Sequence, residues 1–480
     1  MKPAQYPGQP AHIWEHFYQF TRIPRPSGQE AAVRQYVIDL AEQAGHSWHC
    51  DSAGNLAVAV PATAGLEQRP VVIIQNHLDM VTVKSGDKSH DFTTQPLDLV
   101  VEDGWLRADR TTLGADNGLG CAAALALMTD ANVVHPPLQL LFTVDEETGL
   151  GGALYLDPQL LAGSVMLNLD TEDWNELYVG CAGGNGLEMR RQFATAPCPA
   201  GAEQWQLSLK GLAGGHSGIQ IQEQLGNAIK LLAQCLEDVD GLQLAAFDAG
   251  VAHNVIPREG SLAFTCAAGQ GEALRSRLEA LRTRWLGYLP AADAALQLQL
   301  QPATVGSVIG TADTRRLLDL VAAFPHGAQA YNLTKPAELV DLSCNLARLR
   351  LEQGSLFLET SYRFFNEDQS LPLRQALLGL GRAFKLEVTE TVGYPGWQPD
   401  FDSPLLQRAV ALHRRLFGHP PAVKAIHAGL ECGILKGKQP GLDILSFGPT
   451  IRGAHSPTER LEIATVEPFW RFLTALLAEL

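Results

Sequence analysis

The sequence predicts an α/β protein, a mixed sheet flanked by helices, interrupted by an inserted α+β domain. Three observations carry this. Buried apolar strands alternate with helical stretches up to about residue 184, the pattern of an α/β layer architecture. From there to about residue 390, apolar and polar residues alternate with period two, which suggests antiparallel strands with one wet face. After "YPGWQPD" the α/β character returns. The expected divisions are therefore 1–184, 185–390 and 391–480, with the first and third forming one domain.

The elements follow in order. Residues 11–45 read as helical, with a Pro-Ser-Gly break at Pro26–Gly28. "NLAVAVP" is a strand. "PVVIIQNHLDMV" is a β-branched buried strand that ends in the polar residues Asn76, His77 and Asp79. "GLGCAAALALMTD" has helical composition and opens directly after Asp116 and Asn117. "LQLLFTV" and "SVMLNLD" are further buried strands. In the middle region "LEMRRQFATA", "QWQLSLKGL", "GSLAFTCAAG" and "SLFLETSYRFF" alternate. "QLGNAIKLLAQCLEDV" and "ALRSRLEALRTRWLGYL" between them read as helices. The tail supplies the helix "SPLLQRAVALHRRLFG", the strand "DILSFGP" and a final helix. No short-period repeat is visible.

A chain of 480 residues exceeds one ordinary core. Its 46% hydrophobic and 18% charged residues describe a folded globular protein. The formal net charge of −16 argues against nucleic acid or an anionic membrane as partner. No run approaches the ~18 apolar residues of a membrane span. The first residues, "MKPAQYPGQPAHIWEHF", lack the apolar centre of a signal peptide. The eight cysteines are scattered without a CxxC, which fits reduced, mostly buried thiols. The expected location is the cytoplasm.

The chemistry lies where apolar strands stop. His77 and Asp79, Asp116, Glu146 and Glu147, and Asp170 all sit at or near such ends, and His455 follows the late strand in "SFGPTIRGAHSPTER". Open α/β sheets bind ligands beyond the carboxyl ends of their strands. Taken singly, each residue reads as a surface or capping group. Together, so many carboxylates at one sheet edge repel unless cations neutralise them. Histidines with carboxylates suit Zn²⁺, with Mn²⁺ or Co²⁺ as alternatives. His77 and Asp79 project to the same side of an extended chain, so Asp79 can orient the imidazole. Asp116 lies between glycines that permit an unusual backbone path, and its carboxylate can bridge two metals. Glu146 and Glu147 are adjacent, so one can ligate while the other acts as general base. The role of Asp145 stays open between a loop cap and none. No dinucleotide fingerprint, HExxH or GxSxG is present.

"NHLDMV", "TLGADNGLG", "DEETGLGGA", "LNLD", "GGHSG", "HAGLECG" and "GAHSPTER" occur in this order across nearly the whole chain. Together they resemble the M20 co-catalytic metallopeptidases, and most closely their dipeptidase branch. The resemblance implies that His77, Asp116 and Asp170 hold one metal. It implies that Asp116, Glu147 and His455 hold the other, with Asp116 bridging. Glu146 would be the general base and acid, Asp79 would orient His77, and the Asp116–Asn117 peptide would be cis. His216 would polarise the scissile carbonyl, often from a partner subunit. Asn254 and Arg363 would hold the substrate, Arg363 through its carboxylate. Glu431 would face the free amine or be structural. Residues 185–390 would be a lid that forms a homodimer, or that mimics a partner within one chain. The implied substrates are unblocked dipeptides, Xaa-His such as β-alanyl-histidine among them. An N-acyl-amino-acid deacylase of the same machinery is the alternative, and a non-catalytic metal-binding scaffold is the third reading.

Overall fold

The structure is a computed structural model and describes residues 2–333 and 339–480. The chain forms two compact units. One comprises Met1–Cys181, Trp397–Ala425 and Leu430–Leu480; the other comprises Ala182–Gly396 and Ile426–Gly429.

The first unit is built on a mixed sheet that has eight strands among the described residues. Four central strands run parallel in the order Leu138–Thr143, Val72–His77, Val165–Asn168, Asp443–Ser446. Leu56–Val60 and Ser47–Cys50 extend one side antiparallel. Glu176–Cys181 pairs antiparallel on the other, and Ala422–Ile426 follows it in the strand order. The Val72–His77 strand is buried at every position, as a central parallel strand with both faces covered must be. Parallel register places all four carboxyl ends on one edge of the sheet. The segments leaving that edge begin at Leu78, Val144, Leu169 and Phe447.

The helix Ala115–Thr129 packs beside this sheet and against the helix Ala11–Arg22. Its run Cys121–Ala126 is wholly buried, small side chains allowing close approach. Of the two glycines in this helix Gly120 has the less room: a Cβ there would collide with the side-chain oxygens of Asn117 and Asn76 and lie 2.7 Å from the Leu169 carbonyl. Gly120→Ala is therefore expected to cost about 1–3 kcal/mol, the range for overpacking. A thermal melt beside wild type should show a midpoint several degrees lower, and an unchanged midpoint would refute this packing.

A smaller sheet carries the late histidine. Ile451–Arg452 and Arg460–Glu462 pair antiparallel, and Arg460–Glu462 pairs with Trp105–Ala108. His455 sits in the loop between the first two strands with φ 60°.

The second unit holds a nine-stranded sheet among the described residues, its pairs antiparallel. In Glu203–Lys210 the residues Trp205, Leu207 and Leu209 face the core while Gln206 and Ser208 do not, the period-two signature. The helices of this unit include Ala228–Cys235, Gln270–Leu286, Thr311–Ala323 and Glu367–Ala383. Residues of all four contribute to the core with Trp205, Phe247 and Phe264. The first helix starts later than "QLGNAIKLLAQCLEDV" suggested, because the Asn227 side chain caps it by accepting from Ile229 N–H.

The eight cysteines are unpaired and six are buried. Among the described residues no helix is long and apolar enough to cross a membrane.

Candidate metal centre

Each segment leaving the parallel edge delivers one or two polar side chains. His77 closes its own strand and is 1% exposed. Its Nε2 lies 3.1 Å from Asp116 Oδ1 and 3.3 Å from Asp170 Oδ1. Its Nδ1 faces Asp79 Oδ1 at 3.4 Å. Asp79 is fully buried and also ties the next loop. It accepts the backbone N–H groups of Glu146 and Glu147, each at 3.1 Å, and the Ser27 hydroxyl at 2.7 Å. One carboxylate thus stands beside the imidazole and sets the start of the two-glutamate loop.

The Asp116 carboxylate lies between two histidines. Oδ1 faces His77 Nε2, and Oδ2 is 3.1 Å from His455 Nε2. His455 Nε2 is also 3.0 Å from Glu147 Oε2. Two groups of candidate ligands result: His77, Asp116 and Asp170, and Asp116, Glu147 and His455. In each, the donor atoms lie within 4.8 Å of one another. A third group of this kind, His77, Glu146 and Glu147, overlaps them.

Hydrogen bonding alone does not account for this arrangement. A ring nitrogen carries at most one proton, yet each Nε2 faces two carboxylate oxygens. Glu147 Oε1 is buried with no hydrogen-bond partner among the described residues. A tetrahedral ion with ligands at ~2.0–2.1 Å holds its donor atoms about 3.3 Å apart, close to the separations seen here. The donor set therefore fits divalent cations.

The electrostatics agree. Burial works against the His77 charge, but Asp170, Asp116 and Asp79 outweigh it and raise its pKa well above the usual value. Hydrogen bonds to Asp116 and Glu147 push His455 up to about 11. Burial raises Asp170 to about 6 and, with Asp116 nearby, Glu172 to about 8. Burial also raises Glu146 well above the carboxylate range, with Asp170, Glu147 and Glu431 adding to it. The cluster holds more negative charge than two imidazoles neutralise.

The backbone around Asp116 is built for this position. The Asp116–Asn117 peptide is cis, and both residues depart from helical geometry at the helix start. Asn117 Nδ2 donates to the Leu169 carbonyl at 3.2 Å and to Asp170 Oδ1. Glu459, 2% exposed, accepts the backbone N–H groups of Leu113, Gly114, Ala115 and Asp116 at 2.7, 3.0, 2.7 and 3.4 Å. Sequence reasoning did not single it out, although it stands four residues after His455 in "GAHSPTER". Asp145 has φ 52° and accepts the Thr148 hydroxyl, which closes the turn.

Glu431 is fully buried. Its Oε2 accepts from Gln75 Nε2 and Thr143 Oγ1, each at 2.6 Å, and so ties two parallel strands together. Burial raises it to about 8. Of its two possible roles, this geometry supports the structural one over contact with a substrate amine.

His216, Asn254 and Arg363 belong to the second unit. His216 Nδ1 accepts the N–H groups of Gly218 and Ile219 at 3.2 and 3.3 Å, so the ring proton is on Nε2. Burial, with Arg363 and His253 nearby, lowers its pKa to about 4. His216 and Asn254 line a cavity of about 320 Å³. Arg363 lines another, of about 190 Å³. It is 8% exposed, its Nη1 donates to the Tyr394 hydroxyl at 3.0 Å, and its Nε has no partner among the described residues.

The sequence model of peptidase family M20/M25/M40 matches residues 73–479. The cytosol non-specific dipeptidase of Escherichia coli (strain K12) is 37% identical over 476 residues, 98% of each chain. The crystal structure of aminoacylhistidine dipeptidase from Vibrio alginolyticus matches with TM-score 0.89 and 34% identity. That match covers 98% of this chain and 97% of that one. A tripeptidase from Staphylococcus aureus shares the fold with TM-score 0.55 and 15% identity, over 98% of this chain and 97% of that one.

Proposed function

The chain belongs to peptidase family M20/M25/M40 and is a peptide hydrolase, and from that premise we propose that it cleaves unblocked dipeptides, Xaa-His such as β-alanyl-histidine among them. The observation that carries the metal-dependent reading is the pair of histidine nitrogens that each face two carboxylates. The dipeptide reading is supported by similarity over 98% of the chain to a relative named as a dipeptidase.

In this reading His77, Asp116 and Asp170 hold one divalent ion, and Asp116, Glu147 and His455 hold a second. Zinc is the first candidate, with manganese or cobalt as alternatives. When bound, the pair supplies Lewis acidity and a water of lowered pKa. Glu146 takes the proton of the attacking water and returns it to the leaving amine. Asp79 keeps His77 and the Glu146–Glu147 loop in register. His216 is neutral with its proton on Nε2, which suits donation to a carbonyl oxygen as it becomes negative. Arg363 offers its guanidinium to the substrate carboxylate, and Asn254 assists in holding substrate. A homodimer through the second unit and a cytoplasmic location complete the proposal.

The test compares β-alanyl-histidine with N-acetyl-histidine, with and without a chelator. Histidine release from the free-amine substrate only, lost on chelation and restored by Zn²⁺ or Mn²⁺, is the expected result. Release from the acetylated compound only would make the chain a deacylase. Two bound metals with no cleavage of a dipeptide panel would favour a binding protein.

A further inference from the structure

The connection between the helices Ala11–Arg22 and Ala31–Gln43 reads in sequence as a simple break. In the structure it touches three of the loops that form the metal centre. Arg25 is 2% exposed, and among the described residues its guanidinium donates only to backbone carbonyls. Nη1 reaches Leu78 O at 2.8 Å and Asp79 O at 2.6 Å, just past His77. Nη2 reaches Gly114 O at 2.5 Å, two residues before Asp116. Ser27 donates its hydroxyl to Asp79 Oδ2 at 2.7 Å. Glu30 Oε1 accepts the N–H of Asp145 at 3.0 Å, at the head of the two-glutamate loop. Arg25 O accepts from Met80 N–H at 3.1 Å and anchors the segment itself.

A buried guanidinium bonded only to carbonyls needs negative charge nearby. Asp79, Asp116 and Glu459 supply it. The sequence also clears space for this group. A Cβ at Gly114 would lie 2.5 Å from Arg25 Nη2, and one at Gly118 2.6 Å from it. Those two glycines of "LGADNGLG" leave room for the arginine, and Gly114 also takes φ 66°. Arginine suits the place because its planar fork reaches carbonyls of two separate loops at once, which an ammonium does not.

We propose that Arg25 and Ser27 are positioning residues for the metal centre, fixing the His77–Asp79 loop and the Gly114–Asp116 loop relative to each other so that the ligands stand ready before any ion arrives. The proposal rests on the metal-dependent reading above. Groups that orient ligands from behind typically govern metal affinity by about 10–100-fold.

The experiment measures Zn²⁺ affinity by chelator competition on metal-stripped full-length protein, beside the thermal midpoint of the same samples. Arg25→Lys keeps the charge and loses the fork, so its affinity should fall about 10–100-fold. Ser27→Ala, at a half-buried position, should weaken affinity in the same direction by a smaller factor and keep the fold. A role in packing alone would lower the midpoint of Arg25→Lys and leave both affinities at the wild-type value, which overturns the proposal. If Arg25→Lys does not fold, the affinity of Ser27→Ala decides. Wild-type protein that binds no divalent ion would instead sink the underlying metal reading, and this inference with it.

Discussion

Replacing Glu146 by alanine is expected to leave metal content intact and lower dipeptide turnover about 10³–10⁴-fold, the upper part of the range for general acid–base catalysis. The size follows from one group serving two proton transfers, removal from water and delivery to the leaving amine. The sharper point is the contrast with its neighbour. Glu147 Oε2 stands 3.0 Å from His455 Nε2 and belongs to a ligand group that includes Asp116. Glu146 joins such a group only with His77 and Glu147. Glu147→Ala should therefore lose metal, and Glu146→Ala should not. Elemental analysis after dialysis, paired with a rate assay, separates the two. If Glu146→Ala loses an ion, Glu146 is a ligand and the proton carrier must be sought elsewhere. If it retains both metal and rate, Glu146 leaves the mechanism.

Most residues of this centre that the sequence makes visible share one property: they interrupt an apolar pattern. His77 ends a buried strand, Glu146 and Glu147 follow another, and Asp170 closes "SVMLNLD". Parallel pairing then brings those ends together. The residues that stay invisible act mostly through the backbone, Ser27 through the Asp79 carboxylate. Arg25, Ser27 and Glu459 bind carbonyls, a hydroxyl-to-carboxylate contact and N–H groups of segments as many as 346 positions away. Side-chain bonds to main chain leave no trace in composition or periodicity. Glu431 shows a different limit. The family resemblance of "HAGLECG" marks it as a candidate, but only the strand order puts Gln75 and Thr143 beneath its carboxylate. The excursion Ile426–Gly429 into the second unit is likewise unmarked, being four residues long within "HAGLECG" and its preceding strand.

Asp116 should be the one residue whose loss empties the centre. Its two oxygens face different histidines, Oδ1 toward His77 and Oδ2 toward His455. It is the one residue shared by the group with Asp170 and the group with His455. Asp116→Ala leaves two donors in each of these two groups, fewer than the three protein ligands that a catalytic zinc site keeps. Asp170→Ala removes a donor from one group only, and His455→Ala from the other only. After dialysis, wild type should hold two ions per chain, either single-group variant about one, and Asp116→Ala well under one, with turnover down at least about 10³-fold. The fold should survive, since Glu459 holds this segment by its N–H groups and not through the Asp116 side chain. A thermal melt of the metal-free proteins checks that control. Should Asp116→Ala keep one tightly bound ion, Asp116 would not be a ligand that both groups require.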